Sequence, residues 1–214
     1  MGIRLVRPRN VSKPLFFPKD GKYYLVKDHF RSNNNLCYTM EESNSEQQPD
    51  FLQEVYELNE GRDLFKALEL SFKAIDDLDI EQLKRIGLKT YKEGKWSVHK
   101  ILQHLIDWER IWCYRAILFA RKEGTIPDAH DQEIMGTHSN ADDLPIEHLI
   151  QELRVVRQST ILMFESFNED ILSMTCKFFE YEMPLSAIGF SITAHQIHHF
   201  NIINERYIPL DTEQ

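Results

Sequence analysis

The chain holds 214 residues, 42% hydrophobic and 11% aromatic, which is enough for one sizeable core at a length just above the usual single-domain size. Its 34 Asp and Glu outnumber 25 Lys and Arg and leave a formal charge of -9, so no surplus of positive charge is available for a phosphate backbone and nucleic-acid binding is set aside. Cys37, Cys113 and Cys176 are odd in number and far apart, which excludes a readable disulfide framework or Cys-rich zinc site and fits a reducing, cytoplasmic setting.

Residues 1–31 are basic, with eight basic side chains against two acidic. Arg4, Arg7, Arg9 and Lys13 interrupt any secretory-type apolar stretch there. Phe16-Phe17 and Tyr23-Tyr24-Leu25-Val26 flank Pro18-Lys19-Asp20-Gly21, the pattern of aromatic strands around an Asp-Gly turn, and a small hairpin is preferred to a transit peptide. Residues 31–50 are polar and rich in Asn, Ser and Glu, which reads as a linker. The division expected is an extension over 1–50 and a main domain over 51–214.

From there the period is helical. Leu64, Leu68, Phe72, Ile75 and Leu78 define a first helix, and Asp79 with Gln82 suggests a capping box for a short piece ending at Gly87. Ser97 is the expected N-cap of a second helix that runs to about Lys122 with Ile101, Leu105, Trp108 and Trp112 on its apolar face. Pro145 opens a third, which carries Ile146, Leu149, Leu153, Val156, Met163 and Phe167. A fourth begins near Pro184, places Ile188, Ile192, His195, His199 and Ile202 on one face, and ends around Arg206 before Pro209. Four such helices make an all-α four-helix bundle. The uncharged run from Met183 to Asn204 is long enough to span a bilayer, but its Pro, Gly, Gln, Asn and His residues forbid that, and a soluble protein follows.

In AHQIHHF, His195 and His199 lie about 40° apart around a helix and one turn apart along it, so their imidazoles can converge on one ion, whereas His198 is less well placed. Both replace apolar residues in a core stripe, as does His104 on the second helix, and buried imidazoles need partners. A metal is one partner; a backbone carbonyl is the bland alternative. Antiparallel packing of the second and fourth helices brings the three histidines level. Three imidazoles on a divalent ion leave a position for water, as in catalytic sites.

The stretch YKEGKWSVHKILQHLIDWERIWCYRAILFAR, the TIP that follows, Asp131-Gln132-Glu133 and the ending AHQIHHFNIINERY together resemble the DinB/YfiT-like four-helix metalloproteins, a bacterial branch above all, over residues 51 to 208. Departures are Ala194, where Gly is frequent, and His130, where an aromatic is usual. The resemblance implies a DinB-like four-helix bundle with a short N-terminal extension, and one divalent ion (zinc or nickel first, iron or manganese next) held by His104, His195 and His199. It also implies a metal-dependent enzyme that activates a low-molecular-weight thiol or water against a small electrophile, as a thiol transferase or a hydrolase. A homodimer is compatible with it; a membrane or nucleic-acid partner is not expected. The competing class is a non-catalytic binding module in which the ion staples two helices. A DNA-damage role suggested by the family's name is opposed by the acidic balance.

Other residues carry less. Glu109 lies about 140° around the helix from His104 and is expected to meet another helix or a loop rather than the ion. Asp107 shares its motif. Arg115, Arg121 and Arg206 read as structural before they read as anchors for an anionic thiol. Cys113 and Cys176 read as packed thiols, and Trp96, Trp108 and Trp112 as core. A fourth ligand, if there is one, is expected from His130, Asp131, Glu133 or His138 in the 123–144 loop.

Overall fold

A computed structural model of the chain describes residues 23–32, 35–43, 55, 57–123, 130–178 and 181–212. Two strands, β1 (Tyr23–Ser32) and β2 (Asn35–Ser43), pair antiparallel from Tyr23 opposite Ser43 to Ser32 opposite Asn35, with a register shift after His29. The segment read as linker therefore supplies a strand, and Leu36, Tyr38 and Met40 hold the two-residue alternation that signals it. The turn expected at Asp20-Gly21 and its partner Phe16-Phe17 lie outside the described residues.

Helix α1 (Leu64–Asp76) starts at Asp63, whose Oδ1 accepts from the backbone N–H groups of Phe65 and Lys66 at 2.9 and 3.2 Å. Helix α2 (Ile80–Ile86) is capped by Asp79, which accepts from Gln82 N–H at 2.9 Å, and ends at Gly87 with φ of 57°. Only half of the expected capping box forms, because the Gln82 amide instead reaches Asp211, 3.1 Å away. Helix α3 (Val98–Ala120) begins at the expected cap, Ser97. The crossover that follows, where the sequence suggests a loop, contains a short helix, α4 (Gln132–His138). Helix α5 (Ile146–Glu165) begins just after Pro145, and a single turn, α6 (Glu169–Leu172), leads into strands β3 (Thr175–Phe178) and β4 (Tyr181–Pro184). These strands form an antiparallel hairpin, so the all-α expectation is corrected to mostly helical. Helix α7 (Ser186–Ile202) continues into a π turn over Ile203–Tyr207.

Two apolar cores fill the bundle. One joins Leu64 and Leu68 of α1, Ala116 and Ala120 of α3, Phe164 of α5, Cys176 and Met183 of the hairpin, and Ile188 to Ala194 of α7. The other joins Ile75, Leu83, Val98 to Ile106, Ile146 to Val156, Phe200 and Tyr207. Between them lies a polar level made by Ser71, His104, Glu109, Arg157, Thr160, His195 and Gln196, all buried. The order in which each long helix crosses these levels gives its direction. The first core precedes the second along α1 and α7, and the second precedes the first along α3 and α5. Since the main contacts run α3 to α5, α5 to α1, α1 to α7 and α7 to α3, two neighbouring pairs are parallel and two antiparallel. Helices α3 and α7 are antiparallel, which makes His104 level with His195 and His199. Parallel neighbours α3 and α5 require a long return, and residues 121–145 supply it.

Helix α7 is buried on nearly every side from Ser186 to Gln196, so it is the bundle's central element rather than a one-striped surface helix. None of the described helices is long and apolar enough to cross a membrane. At Gly189 an added Cβ would stand 2.7 Å from Leu64 Cδ1 and 3.1 Å from Phe164 Cε1, so the packing of α7 on α1 and α5 depends on the missing side chain. Gly189→Val is expected to destabilise the protein by about 1–3 kcal/mol, read as a lower urea midpoint. An unchanged midpoint would show that these helices separate freely there.

Candidate metal centre

His104 projects from the middle of α3 and His195 and His199 from adjacent turns of α7. Their ring centroids stand 4.8, 4.9 and 4.6 Å apart with interplanar angles of 70, 71 and 88°, so the three rings meet edge to face around one point. His104 Nε2 lies 2.9 Å from His195 Nε2, and His199 Nε2 lies 3.1 Å from that same atom. His104 and His195 are each 6% exposed. His198 packs edge-on against His199, at 5.2 Å between centroids, and stands outside the cluster.

The donor set can be tested against an ion. A nitrogen of a neutral imidazole either donates or accepts, yet His195 Nε2 faces two other ring nitrogens at hydrogen-bonding distance. Protonation is opposed by the surroundings. Burial, reinforced by His198, holds His104 down to about 3, and burial and neighbouring imidazoles hold His195 and His199 well below the ordinary 6.5. A divalent cation that takes all three lone pairs satisfies the set at once. Bonds of about 2.0–2.1 Å at tetrahedral angles separate ligand nitrogens by about 3.4 Å, close to the spacing present. The residues fit such an ion, although His199 Nδ1 is buried and meets no hydrogen-bond partner among the described residues.

Beside the triad lies a buried ion pair. Arg157 on α5 donates from Nε to Glu109 Oε1 at 2.8 Å and from Nη2 to Glu109 Oε2 at 2.9 Å, and Thr160 donates to Oε1 at 2.7 Å. Arg157 also donates from Nη1 to Ser71 on α1, and Gln196 on α7 donates to the Ser71 carbonyl at 2.8 Å. One network thus ties all four long helices together next to the histidines. Glu109 meets another helix rather than the triad, as its angular position predicts. Asp107 stays half-buried beside Gln103, which donates to it at 2.9 Å, and burial raises its carboxyl.

The other expected residues fall elsewhere. His130 is exposed with its ring 6.4 Å from Trp108, Asp131 caps α4, Glu133 is exposed, and His138 donates from Nδ1 to the Ile134 carbonyl at 2.8 Å. None of them joins the triad, so among the described residues the group that could hold an ion is His104, His195 and His199, with no fourth member. Arg121 and Arg206 are exposed and Arg115 is buried. Burial pushes the Cys113 thiol up to about 11, where it lies 3.2 Å from Thr160 Oγ1, and the Cys176 thiol up to about 12.

Sequence reasoning missed Arg157, Thr160 and Ser71, although Ile150, Leu153, Arg157, Thr160 and Phe164 follow a helical period and an Arg inside such a stripe was the available signal. It missed Tyr207 as well, whose hydroxyl donates to the Trp96 carbonyl at 2.5 Å. The Trp96 indole, 5.1 Å from the His104 ring, packs on Gly136 of α4, where an added Cβ would stand 2.6 Å from it. The three tryptophans are half-buried; Trp96 and Trp112 each pack against one of the cores, as their reading as core expects, and Trp112 lies 5.1 Å from His195.

A four-helix bundle of mixed parallel and antiparallel neighbours with a histidine triad in its polar level is the class that fold and site define. The family model of the DinB superfamily matches residues 64–203, and the chain belongs to that superfamily. A protein of Oceanobacillus iheyensis named "Putative metal-dependent hydrolase" is 26% identical over 116 residues, which make up 54% of this chain and 58% of the relative. The chain thus matches little more than half the length of that relative. The solved structure of YfiT from Bacillus subtilis, described as "a probable metal-dependent hydrolase with an unusual four-helix bundle topology", is similar with a TM-score of 0.51 over 77% of this chain and 91% of that one. At 14% identity that likeness concerns the fold.

Removing one partner of the buried pair leaves the other charge stranded. Arg157→Met is expected to cost about 3–5 kcal/mol in thermal or urea unfolding, and the double variant Glu109→Leu/Arg157→Met to recover most of that loss. A double variant no more stable than Arg157→Met would show that the pair holds the helices by geometry that apolar packing cannot replace.

Proposed function

We propose that the chain binds one divalent ion through His104, His195 and His199 and is a metal-dependent hydrolase of a small electrophile. The observation that carries this reading is the convergence of three imidazoles, two buried and one half-buried, with no fourth such group beside them among the described residues. Zinc or nickel suits the all-imidazole set best, with iron or manganese next. When bound, the ion supplies Lewis acidity, which polarises a carbonyl and makes water acidic enough to attack near neutral pH.

The chain's own residues do the rest. The triad stays neutral because burial depresses all three imidazoles, so every lone pair is available for binding. Glu109 is held by Arg157 and Thr160 and does not join the triad, so it would be neither a ligand nor a base there. The indoles of Trp96 and Trp112, packed on His104 and His195, keep bulk water off the ligand side and strengthen the site's electrostatics. Both relatives named above carry a hydrolase description, which supports water over a thiol as nucleophile. A low-molecular-weight anionic thiol would also need a cationic anchor; Arg157 is committed to Glu109, and Arg121 and Arg206 lie exposed. A non-catalytic staple requires a closed coordination sphere, for which the described residues offer no fourth group beside the triad.

The test is metal analysis of untagged protein and of single variants. The wild type is expected to hold about one divalent ion per chain, His104→Ala, His195→Ala and His199→Ala to lose most of it, and His198→Ala to keep it. Wild-type occupancy in His199→Ala, or equal loss in all four variants, would refute the ligand assignment.

A further inference from the structure

Trp108 stands apart from the other tryptophans of the site. It lies one turn beyond His104 on α3, with its ring 6.0 Å from that of His104 and 6.1 Å from that of Trp112. Trp96 packs against one apolar core and Trp112 against the other, whereas Trp108 packs against neither. Its ring neighbours are His104, Trp112 and the exposed His130. Its indole Nε1 is buried and has no hydrogen-bond partner among the described residues. A large half-buried indole that belongs to no core, carries an unsatisfied donor and adjoins a proposed metal ligand has little structural work to do.

We propose that Trp108 is the platform for a planar acyl or aromatic group of the substrate, so that the substrate class is aromatic esters or amides rather than cationic or small aliphatic ones. The inference rests on the metal reading above and deepens it. An indole face favours an aromatic partner in offset or edge-to-face contact. A cationic group on that face would sit beside a divalent ion and be repelled. A neutral carbonyl compound also offers an acceptor for the unpaired indole N–H, which a hydrocarbon does not.

The probes are two metal chelators that differ only in their tails, benzohydroxamate and acetohydroxamate, titrated into the full chain loaded with cobalt(II) and followed by the visible cobalt spectrum. The phenyl form is expected to bind about tenfold tighter than the methyl form in the wild type. In Trp108→Ala, and in the more conservative Trp108→Leu, that ratio should fall close to one while cobalt stoichiometry stays at the wild-type level. Equal affinities in the wild type overturn the proposal without any variant, as does a preference that survives both substitutions. A chain that binds no cobalt, or binds it unchanged in His199→Ala, overturns the metal reading and this proposal with it. Intact cobalt binding with no preference overturns the proposal alone.

Discussion

Three imidazole nitrogens gathered at one buried point are the constraint on which the rest of the bundle depends. His195 Nε2 has ring nitrogens 2.9 and 3.1 Å away on two sides, and burial denies all three rings the charge that would resolve the contact in water. An apolar core cannot absorb such a cluster. The bundle instead divides its core in two and devotes the level between to polar groups, each helix contributing at least one. The Glu109–Arg157 pair, with Thr160 and Ser71, satisfies most of that level, whereas Gln196 Oε1 and His199 Nδ1 meet no hydrogen-bond partner among the described residues.

The helix directions serve the same end. His104 and the α7 pair meet only because α3 and α7 run antiparallel at matched depth. Because α3 and α5 are parallel neighbours, a return segment passes the full length of the bundle between them, and α4 within it brings Gly136 against Trp96. That contact, and the bond from Tyr207 to the Trp96 carbonyl, fix an indole beside His104 from two separate elements. The π turn that ends α7 carries Tyr207 into the second core, so the helix that supplies two histidines also helps to hold the wall beside the third.

Much of this was legible in the sequence where one period and one residue type spoke together. Ser97 announces the start of α3, and the four-residue step from His195 to His199 inside an apolar stripe marks both helix and chemistry. The failures have physical causes. Arg157 is read as surface by residue type and is buried because Glu109, forty-eight positions earlier, neutralises it, a pairing that no local pattern reveals. Strands β3 and β4 are four residues each, too short for an alternation to rise above the helical signals beside them. Gln82 illustrates competition between levels: its local cap was available, and a distant carboxylate at Asp211 took its amide instead.

Three histidines of two antiparallel helices are proposed to hold an ion that remains open to water or substrate. The most direct measurement is the coordination sphere of the metal-loaded protein, from a crystal structure supported by X-ray absorption. The expected result is nitrogen donors from His104, His195 and His199 at about 2.0–2.1 Å and at least one further oxygen donor from water or a buffer anion. A fourth protein side chain closing a tetrahedron, or an ion bound away from His104, would contradict it.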